Sequence, residues 1–142
     1  MIDGYFESYP QIKEYMNKSI EVAREKGYVE TICGRKRMLP DIHSHNSVVR
    51  GYAERNAINA PIQGSAADII KIAMIRIAKR LENEHLRSRM ILQVHDELNF
   101  NVPVEEIERV KTIVCEEMEN AYPLQVPLLA DSGVGHNWLE AH

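Results

Sequence analysis

The sequence ILQVHDELNF, residues 91–100, places apolar residues on both sides of a short polar stretch. The β-branched and aromatic residues around it predict one strand over residues 89–94 and a second over residues 98–102. The polar residues between the two strands are His95, Asp96 and Glu97. Because aspartate commonly fills turns by bonding its own backbone, this pattern predicts an antiparallel hairpin closed by a polar turn.

The segment before this hairpin shows the signals of a long helix. SAAD, residues 65–68, predicts a capping box, and the helix that it opens runs to about Glu84. This helix is apolar on most sides, which indicates burial beneath other elements. An earlier helix is predicted over residues 48–59, and Pro61 and Gly64 are predicted to interrupt the two.

The outer parts of the chain complete an α+β pattern. A helix is predicted from Pro10 to the stop signal Gly27, and residues 28–40 predict a small hairpin with a basic tip. Pro103 opens an amphipathic helix, and residues 126–130 predict a last strand. The fold class expected from this order is α+β, with helices packed on a small antiparallel sheet.

Composition excludes several classes of protein. The 142 residues are 44% hydrophobic and 27% charged, a globular balance that excludes a disordered or fibrous chain. No apolar run approaches the roughly 18 residues of a membrane span, and residues 1–4 lack the features of a signal peptide. Two cysteines are too few for a disulfide framework, so we expect a reduced cytoplasmic protein without membrane contact.

The charge is unevenly distributed along the chain. The net charge is −4, but residues 35–55 carry five basic and two acidic side chains. The basic ones are Arg35, Lys36, Arg37, Arg50 and Arg55. The Arg35–Arg37 cluster is interpreted either as a solvated hairpin tip or as a phosphate clamp for nucleic acid.

The polar turn allows a structural and a chemical interpretation. As a turn it needs no function beyond linking two strands. As a site, Asp96 and Glu97 offer the hard oxygen ligands that Mg²⁺ prefers, and magnesium usually takes only one or two protein carboxylates. A second carboxylate from elsewhere would then be needed to complete the site.

A second candidate site is the row Arg55, Asn59 and Gln63, whose members are four residues apart. On a continuous helix these side chains would form one stripe, although the proline within the row argues for a solvated face with a break. In the minor groove of DNA every base pair presents purine N3 and pyrimidine O2 acceptors. A row of donors could therefore inspect the shape of a base pair without reading its sequence.

Three stretches of the chain resemble family A DNA polymerases. They are AERNAINAPIQGSAADIIK at residues 53–71, QVHDE at residues 93–97 and NWLEAH at residues 137–142. The first is similar to the helix-break-helix that follows the fingers, the second to the third palm motif and the third to the closing signature of the family. The likeness extends over nearly the whole chain and keeps the order of the family.

The resemblance implies roles for individual residues. Asp96 would bind two Mg²⁺ ions, with Glu97 assisting, and His95 would lie near the primer terminus. The row on the helix would face the minor groove of the new duplex. Apart from the resemblance, Arg35 and Arg37 of the basic cluster are candidate DNA contacts. The implied partners are primer-template DNA and dNTP, and the implied reaction is attack of the primer 3′-hydroxyl on the α-phosphate.

The resemblance also implies that parts of a polymerase are absent. The family needs an aspartate from an earlier palm motif and a fingers helix that grips the triphosphate, and neither occurs here. We expect a carboxy-terminal piece, with the rear of the fingers in residues 1–60 and part of the palm in residues 61–142. Alone it would be inactive, and its exposed apolar surface would favour self-association.

Two other functions remain open at this stage. The chain could be a non-catalytic module that binds duplex nucleic acid through its basic face. It could also be a metal-dependent hydrolase built on His95, Asp96 and Glu97, although nothing else in the sequence supplies metal ligands.

Overall fold

Five α-helices and four short strands follow one another in the computed structural model, which describes residues 2–142. The elements are α1 Ile2–Ser8, α2 Pro10–Lys26, β1 Tyr28–Glu30, β2 Lys36–Met38, α3 Ser47–Asn83, β3 Arg89–Val94, β4 Glu97–Asn101, α4 Ile107–Glu119 and α5 Trp138–Ala141. Two units divide the chain after Ser65, within α3. The predicted α+β class is confirmed, but the strands form two separate two-stranded sheets rather than one. No helix in the described range has the length and apolarity to cross a membrane.

The helix α2 begins and ends where the sequence predicts. Its first residue is Pro10, and Gly27 ends it in the left-handed conformation with φ 77°. Glycine adopts this conformation without steric cost, and its N–H donates to the carbonyl of Ala23 at 2.8 Å. The preceding short helix α1 was not predicted. The core of this first unit is formed by Ala23, Val29, Leu39, Ile42, Ala53 and Ala57.

The predicted hairpin of the first unit is confirmed, but its basic residues lie differently than expected. The strands β1 and β2 are antiparallel, with Val29 opposite Arg37 and Glu30 opposite Lys36. Lys36 and Arg37 therefore belong to β2, and only Arg35 lies in the connecting tip. The basic cluster consequently extends along the strand instead of occupying the turn.

The predicted break between the two central helices is wrong. Helix α3 is continuous over 37 residues and contains Pro61. Proline removes one intrahelical N–H donor, yet the helix continues through it. Four residues later the Ser65 hydroxyl donates to the carbonyl of Pro61. That hydroxyl also accepts the backbone N–H of Ile32 at 2.8 Å. Ser65 is therefore a contact between helix and hairpin, and not the capping residue of a new helix.

Gly64 allows the hairpin tip to approach α3 closely. A Cβ atom at position 64 would lie 2.5 Å from Cγ2 of Thr31, which is closer than such contacts occur. The guanidinium of Arg35 donates to the carbonyl of Gly64 at 3.3 Å. The glycine that suggested a helix break thus serves instead as the docking point for the hairpin.

We predict opposite effects for one substitution at two positions of α3. Gly51→Ala should raise the free energy of unfolding by about 0.5–1 kcal/mol, because alanine is the better helix former. The new methyl group there would meet only Nη1 of Arg55, at 3.7 Å. Gly64→Ala should lower it by about 1–3 kcal/mol through overpacking against Thr31. Urea unfolding followed by circular dichroism measures both, and equal stabilisation by the two variants would contradict the docking role.

The second unit contains the predicted hairpin of residues 89–102. Strands β3 and β4 are antiparallel, with an irregularity in register between Met90 and Leu92. The prediction that the second half of α3, after residue 65, is buried is only partly right. Ile77 is fully buried, while Ile75 is 69% exposed. The buried core of this unit is formed by Ala73, Ile77, Leu81, Val110, Ile113 and Ala121.

The strand predicted over residues 126–130 does not form. Within the described chain, β3 and β4 pair only with each other. The backbone of Ala130 is engaged by side chains of α4: its N–H donates to Glu119 at 3.1 Å, and its carbonyl lies 3.9 Å from Sγ of Cys115. Residues 126–130 have the composition of a strand but no partner strand in the described range, and they therefore form irregular structure beside α4.

Glu106 joins the start of α4 to the start of β3. Its carboxylate accepts the backbone N–H groups of Arg87 and Ser88, each at 2.9 Å, and the Ser88 hydroxyl at 2.5 Å. The hydrogen bond from the Ser88 side chain, followed by that from the Arg87 backbone, lowers the pKa of Glu106 despite partial burial.

This arrangement predicts an acid-sensitive contribution to stability. Because the pKa is lowered on folding, Glu106 stabilises the fold above the ordinary glutamate range near pH 4 and loses this effect as the pH falls through the folded value. Glu106→Gln should therefore lower the melting temperature at pH 7, and the difference from the unaltered protein should vanish at low pH. Glu108→Gln, at an exposed position, is the control. A pH-independent difference for Glu106→Gln would contradict the prediction.

Candidate nucleic-acid interface and carboxylate turn

The turn between β3 and β4 contains two residues and not three. Val94 pairs with Glu97 across the hairpin, so His95 and Asp96 form the turn and Glu97 is the first residue of β4. His95 has a φ of 54°, in the left-handed region that non-glycine residues rarely occupy. The amide of Gln93 donates to the His95 carbonyl at 2.8 Å and supports this conformation.

The two adjacent carboxylates have different surroundings. Asp96 is exposed, and within residues 2–142 its side chain forms no hydrogen bond or ion pair. Glu97 is partly buried, and each of its oxygens accepts one hydrogen bond. Oε1 accepts the indole N–H of Trp138 at 2.8 Å, and Oε2 lies 2.9 Å from Nε2 of His142.

These contacts change the acidity of the groups involved. Partial burial acts to raise the pKa of Glu97, but hydrogen bonding, with Trp138 first and then His142, brings it below its ordinary value. The pKa of His142 is raised by its hydrogen bond to the Trp138 carbonyl and then by the Glu97 carboxylate. Glu97 is therefore held as an anion and His142 is favoured as a cation.

The turn could supply one carboxylate ligand to a divalent cation. In residues 2–142 there is no group of three or more His, Cys, Asp or Glu side chains that could hold a metal ion. Asp96 offers an exposed carboxylate, which suits magnesium because that ion completes its shell with water and substrate phosphate. Both oxygens of Glu97 already accept hydrogen bonds, so Asp96 is the better fitting of the two.

The row Arg55, Asn59 and Gln63 forms one exposed stripe on α3. All three residues are exposed, and the helix continues through them, so the spacing of four residues keeps them on one face. The stripe is about 12 Å long, which equals the rise of three to four base pairs. Arg55 lies 6.0 Å from the ring centre of Tyr52.

The basic hairpin adjoins one end of this stripe. Arg35 is bonded to the carbonyl of Gly64, directly after Gln63 in the sequence. Arg37 is exposed, and Lys36 lies 4.7 Å from the ring centre of Tyr28. By contrast, the guanidinium of Arg50 is engaged within the first unit, where it donates to the Ser44 carbonyl at 3.0 Å.

The structure thus groups the predicted site residues in two places. Arg35, Arg37 and the stripe belong to the first unit, and the turn with His95, Asp96 and Glu97 belongs to the second. Sequence reasoning did not find the engagement of Glu97 by Trp138 and His142. A usable signal was present, because Asn137 and Glu140 have capping-box spacing and place Trp138 and His142 one helical turn apart.

Comparison with known proteins identifies the family. The sequence model of DNA polymerase family A matches residues 1–140, and this chain belongs to that family. The chain is similar to DNA polymerase I of Lactococcus lactis subsp. cremoris and to that of Geobacillus stearothermophilus, each at 53% identity over 140 residues. These matches cover 99% of this chain and 16% of each relative.

A solved structure supports the fold of the family. The chain matches the POL domain of Pol1 from M. smegmatis, described in complex with DNA primer-template and dNTP, with a TM-score of 0.96 and 47% identity. The match covers 99% of this chain and 25% of the solved one. The chain therefore spans about a sixth of the curated relatives and a quarter of this domain. Family A DNA polymerases are in general metal-dependent.

Proposed function

We propose that this chain is part of a template-directed DNA polymerase that acts in replication and repair. The reaction is nucleotidyl transfer from a dNTP to the 3′-hydroxyl of a primer. The observation that carries the proposal is the exposed Asp96 at a supported hairpin turn, in a chain of family A. The proposed partners are primer-template DNA, dNTP and the remaining part of the polymerase.

Asp96 is the residue proposed to hold Mg²⁺, and Glu97 beside it is the assisting carboxylate. Magnesium, when bound, would stabilise the charge on the attacking and leaving oxygens of the transfer. Asp96 contributes a negative charge from a turn whose backbone is held by Gln93 and by the pairing of Val94 with Glu97. His95, the other turn residue, is proposed to lie at the primer terminus.

The stripe on α3 is proposed to contact the minor groove of the new duplex. Arginine, asparagine and glutamine carry N–H donors, and the minor groove presents acceptors in every base pair. A mispaired base displaces these acceptors, so the stripe senses shape rather than sequence. Arg35 and Arg37 add positive charge for the phosphate backbone.

The role of Asp96 is tested in a hybrid polymerase, in which this chain replaces the matching 140-residue segment of the Lactococcus lactis relative. Asp96→Asn should lower kcat for primer extension by at least about 100-fold, because it removes the charge that holds the metal ion. Affinity for duplex DNA should change by less than about threefold, since phosphate contacts lie elsewhere.

Asp131→Asn, at another exposed aspartate of the second unit, is the matched control for this experiment. It should leave primer extension within about twofold of the unaltered hybrid. An active Asp96→Asn hybrid would contradict the assignment of Asp96.

A second candidate function applies to the chain by itself: a duplex-binding module without catalysis. Two observations favour it. The described residues contain no complete set of metal ligands, and the basic hairpin and the stripe are exposed. The isolated chain should bind duplex DNA without added metal, with an affinity that falls steeply with salt. It should not extend a primer.

The binding surface is tested by charge removal. Arg37→Ala should weaken duplex binding and reduce the salt slope by about one, as loss of one phosphate contact requires. Lys79→Ala, an exposed lysine of the second unit, should leave the slope unchanged. Fluorescence anisotropy over a salt series measures both, and salt-independent binding would exclude the proposed surface.

Localisation and self-association complete the proposal. The cytoplasm is proposed on the basis of cysteine usage, and both Cys33 and Cys115 are free thiols in the structure. Self-association of the chain is proposed because apolar side chains such as Ile75 and Ile91 are more than 60% exposed.

A further inference from the structure

The segment of residues 133–142 has a folded structure of its own. The side chain of Asn137 accepts the backbone N–H of Glu140 at 3.0 Å, and Glu140 in turn accepts the backbone N–H of His136 at 3.0 Å. These reciprocal hydrogen bonds at the start of α5 resemble a capping box. The short helix is therefore stabilised locally, which a four-residue helix needs.

Two glycines allow this segment to fold back on itself. A Cβ atom at Gly133 would collide with the carbonyl oxygen of Ala141, and one at Gly135 would lie 2.6 Å from Cβ of Glu140. Any larger residue at these positions would therefore push α5 away. The backbone of residues 133–135 and the helix that follows are closely packed.

The folded segment directs two donors at one carboxylate. Trp138 and His142 are four residues apart, and their rings meet edge to face with centroids 5.6 Å apart. Nδ1 of His142 lies 3.1 Å from the Trp138 carbonyl, which orients the imidazole. The other ring nitrogen and the indole N–H then reach the two oxygens of Glu97.

We propose that Trp138 and His142 are positioning residues that hold the Asp96 turn through Glu97. This inference rests on the proposed function, since it assigns a purpose to the restraint of the backbone that carries Asp96. Glu97 is adjacent to Asp96 and forms the closing pair of the hairpin with Val94. Two hydrogen bonds to Glu97 restrict the turn at the point where its backbone enters β4.

The need for such a restraint follows from the turn itself. His95 occupies a sparsely populated backbone conformation, and Asp96 has no side-chain partner in the described chain. A carboxylate that must hold an ion in one geometry is more effective when neighbouring groups fix its backbone. The bonds to Glu97 supply this restraint from residues more than 40 positions away in the sequence.

The contact is tested first in this chain by NMR. Trp138 is the single tryptophan, so the spectrum contains one indole N–H resonance. Glu97→Ala should move this resonance upfield and speed its exchange with water, and Glu97→Gln, which keeps an acceptor oxygen, should partly restore it. Gly135→Ala should have the effect of Glu97→Ala without altering the three contacting side chains.

Leu139→Ala is the control, because Leu139 lies beside Trp138 and is 87% exposed. It should leave the indole resonance in place. An indole resonance that is unchanged in both Glu97→Ala and Gly135→Ala would overturn the proposed contact.

The positioning role is tested in the hybrid polymerase. Trp138→Phe, which removes only the N–H donor, and His142→Ala should each lower kcat by about 10- to 100-fold, as loss of a supporting hydrogen bond does at metal sites. His142→Gln, which keeps a donor, should recover part of the loss, and duplex affinity should stay within about twofold.

The outcomes separate this inference from the proposed function. If Asp96→Asn abolishes extension while Trp138→Phe and His142→Ala retain full kcat, the positioning role is wrong and the polymerase assignment stands. If Asp96→Asn retains activity, the assignment of Asp96 fails, whatever the NMR spectra show.

Discussion

The methyl group of Thr31 lies where a side chain at position 64 would begin, and this close approach is what allows the hairpin to dock on α3. With glycine at that position, the hairpin tip reaches α3, where Ile32 bonds to Ser65 and Arg35 to the carbonyl of Gly64. The same region contains Pro61, which removes one hydrogen bond of the helix without ending it. Helix continuity then keeps the stripe of donors on one face.

The two neighbouring carboxylates of the turn show how environment divides roles between similar groups. Glu97 is partly buried and accepts donors from a distant segment, while Asp96 faces solvent without a side-chain partner in the described chain. Of these two carboxylates, only Asp96 at the tip of the hairpin is left without a side-chain partner in the described chain.

Much of the fold could be predicted from local signals. Pro10 and Gly27 bound a helix, and ILQVHDELNF forms a hairpin, because the decisive groups lie within a few residues of each other. The errors arose where distant contacts decide. Gly64 and Ser65 resemble a helix break in sequence but serve a hairpin about 30 residues away, and residues 126–130 have strand composition without a partner strand in the described chain.

The candidate site shows the same division. The three motif stretches at residues 53–71, 93–97 and 137–142 were sufficient to indicate the family, which the comparisons confirm, whereas the roles of individual residues stay predictions. The hydrogen bonds from Trp138 and His142 to Glu97 could not be predicted from local sequence, since these partners are 41 and 45 residues away.

The left-handed backbone at His95 limits which amino acids evolution can place at the head of the turn. Glycine and asparagine tolerate this conformation readily, whereas valine, isoleucine and threonine would strain it. Substitutions at this position therefore combine a backbone cost with a change in side-chain chemistry. Variation among relatives at this residue should accordingly be narrow even where the imidazole itself is dispensable.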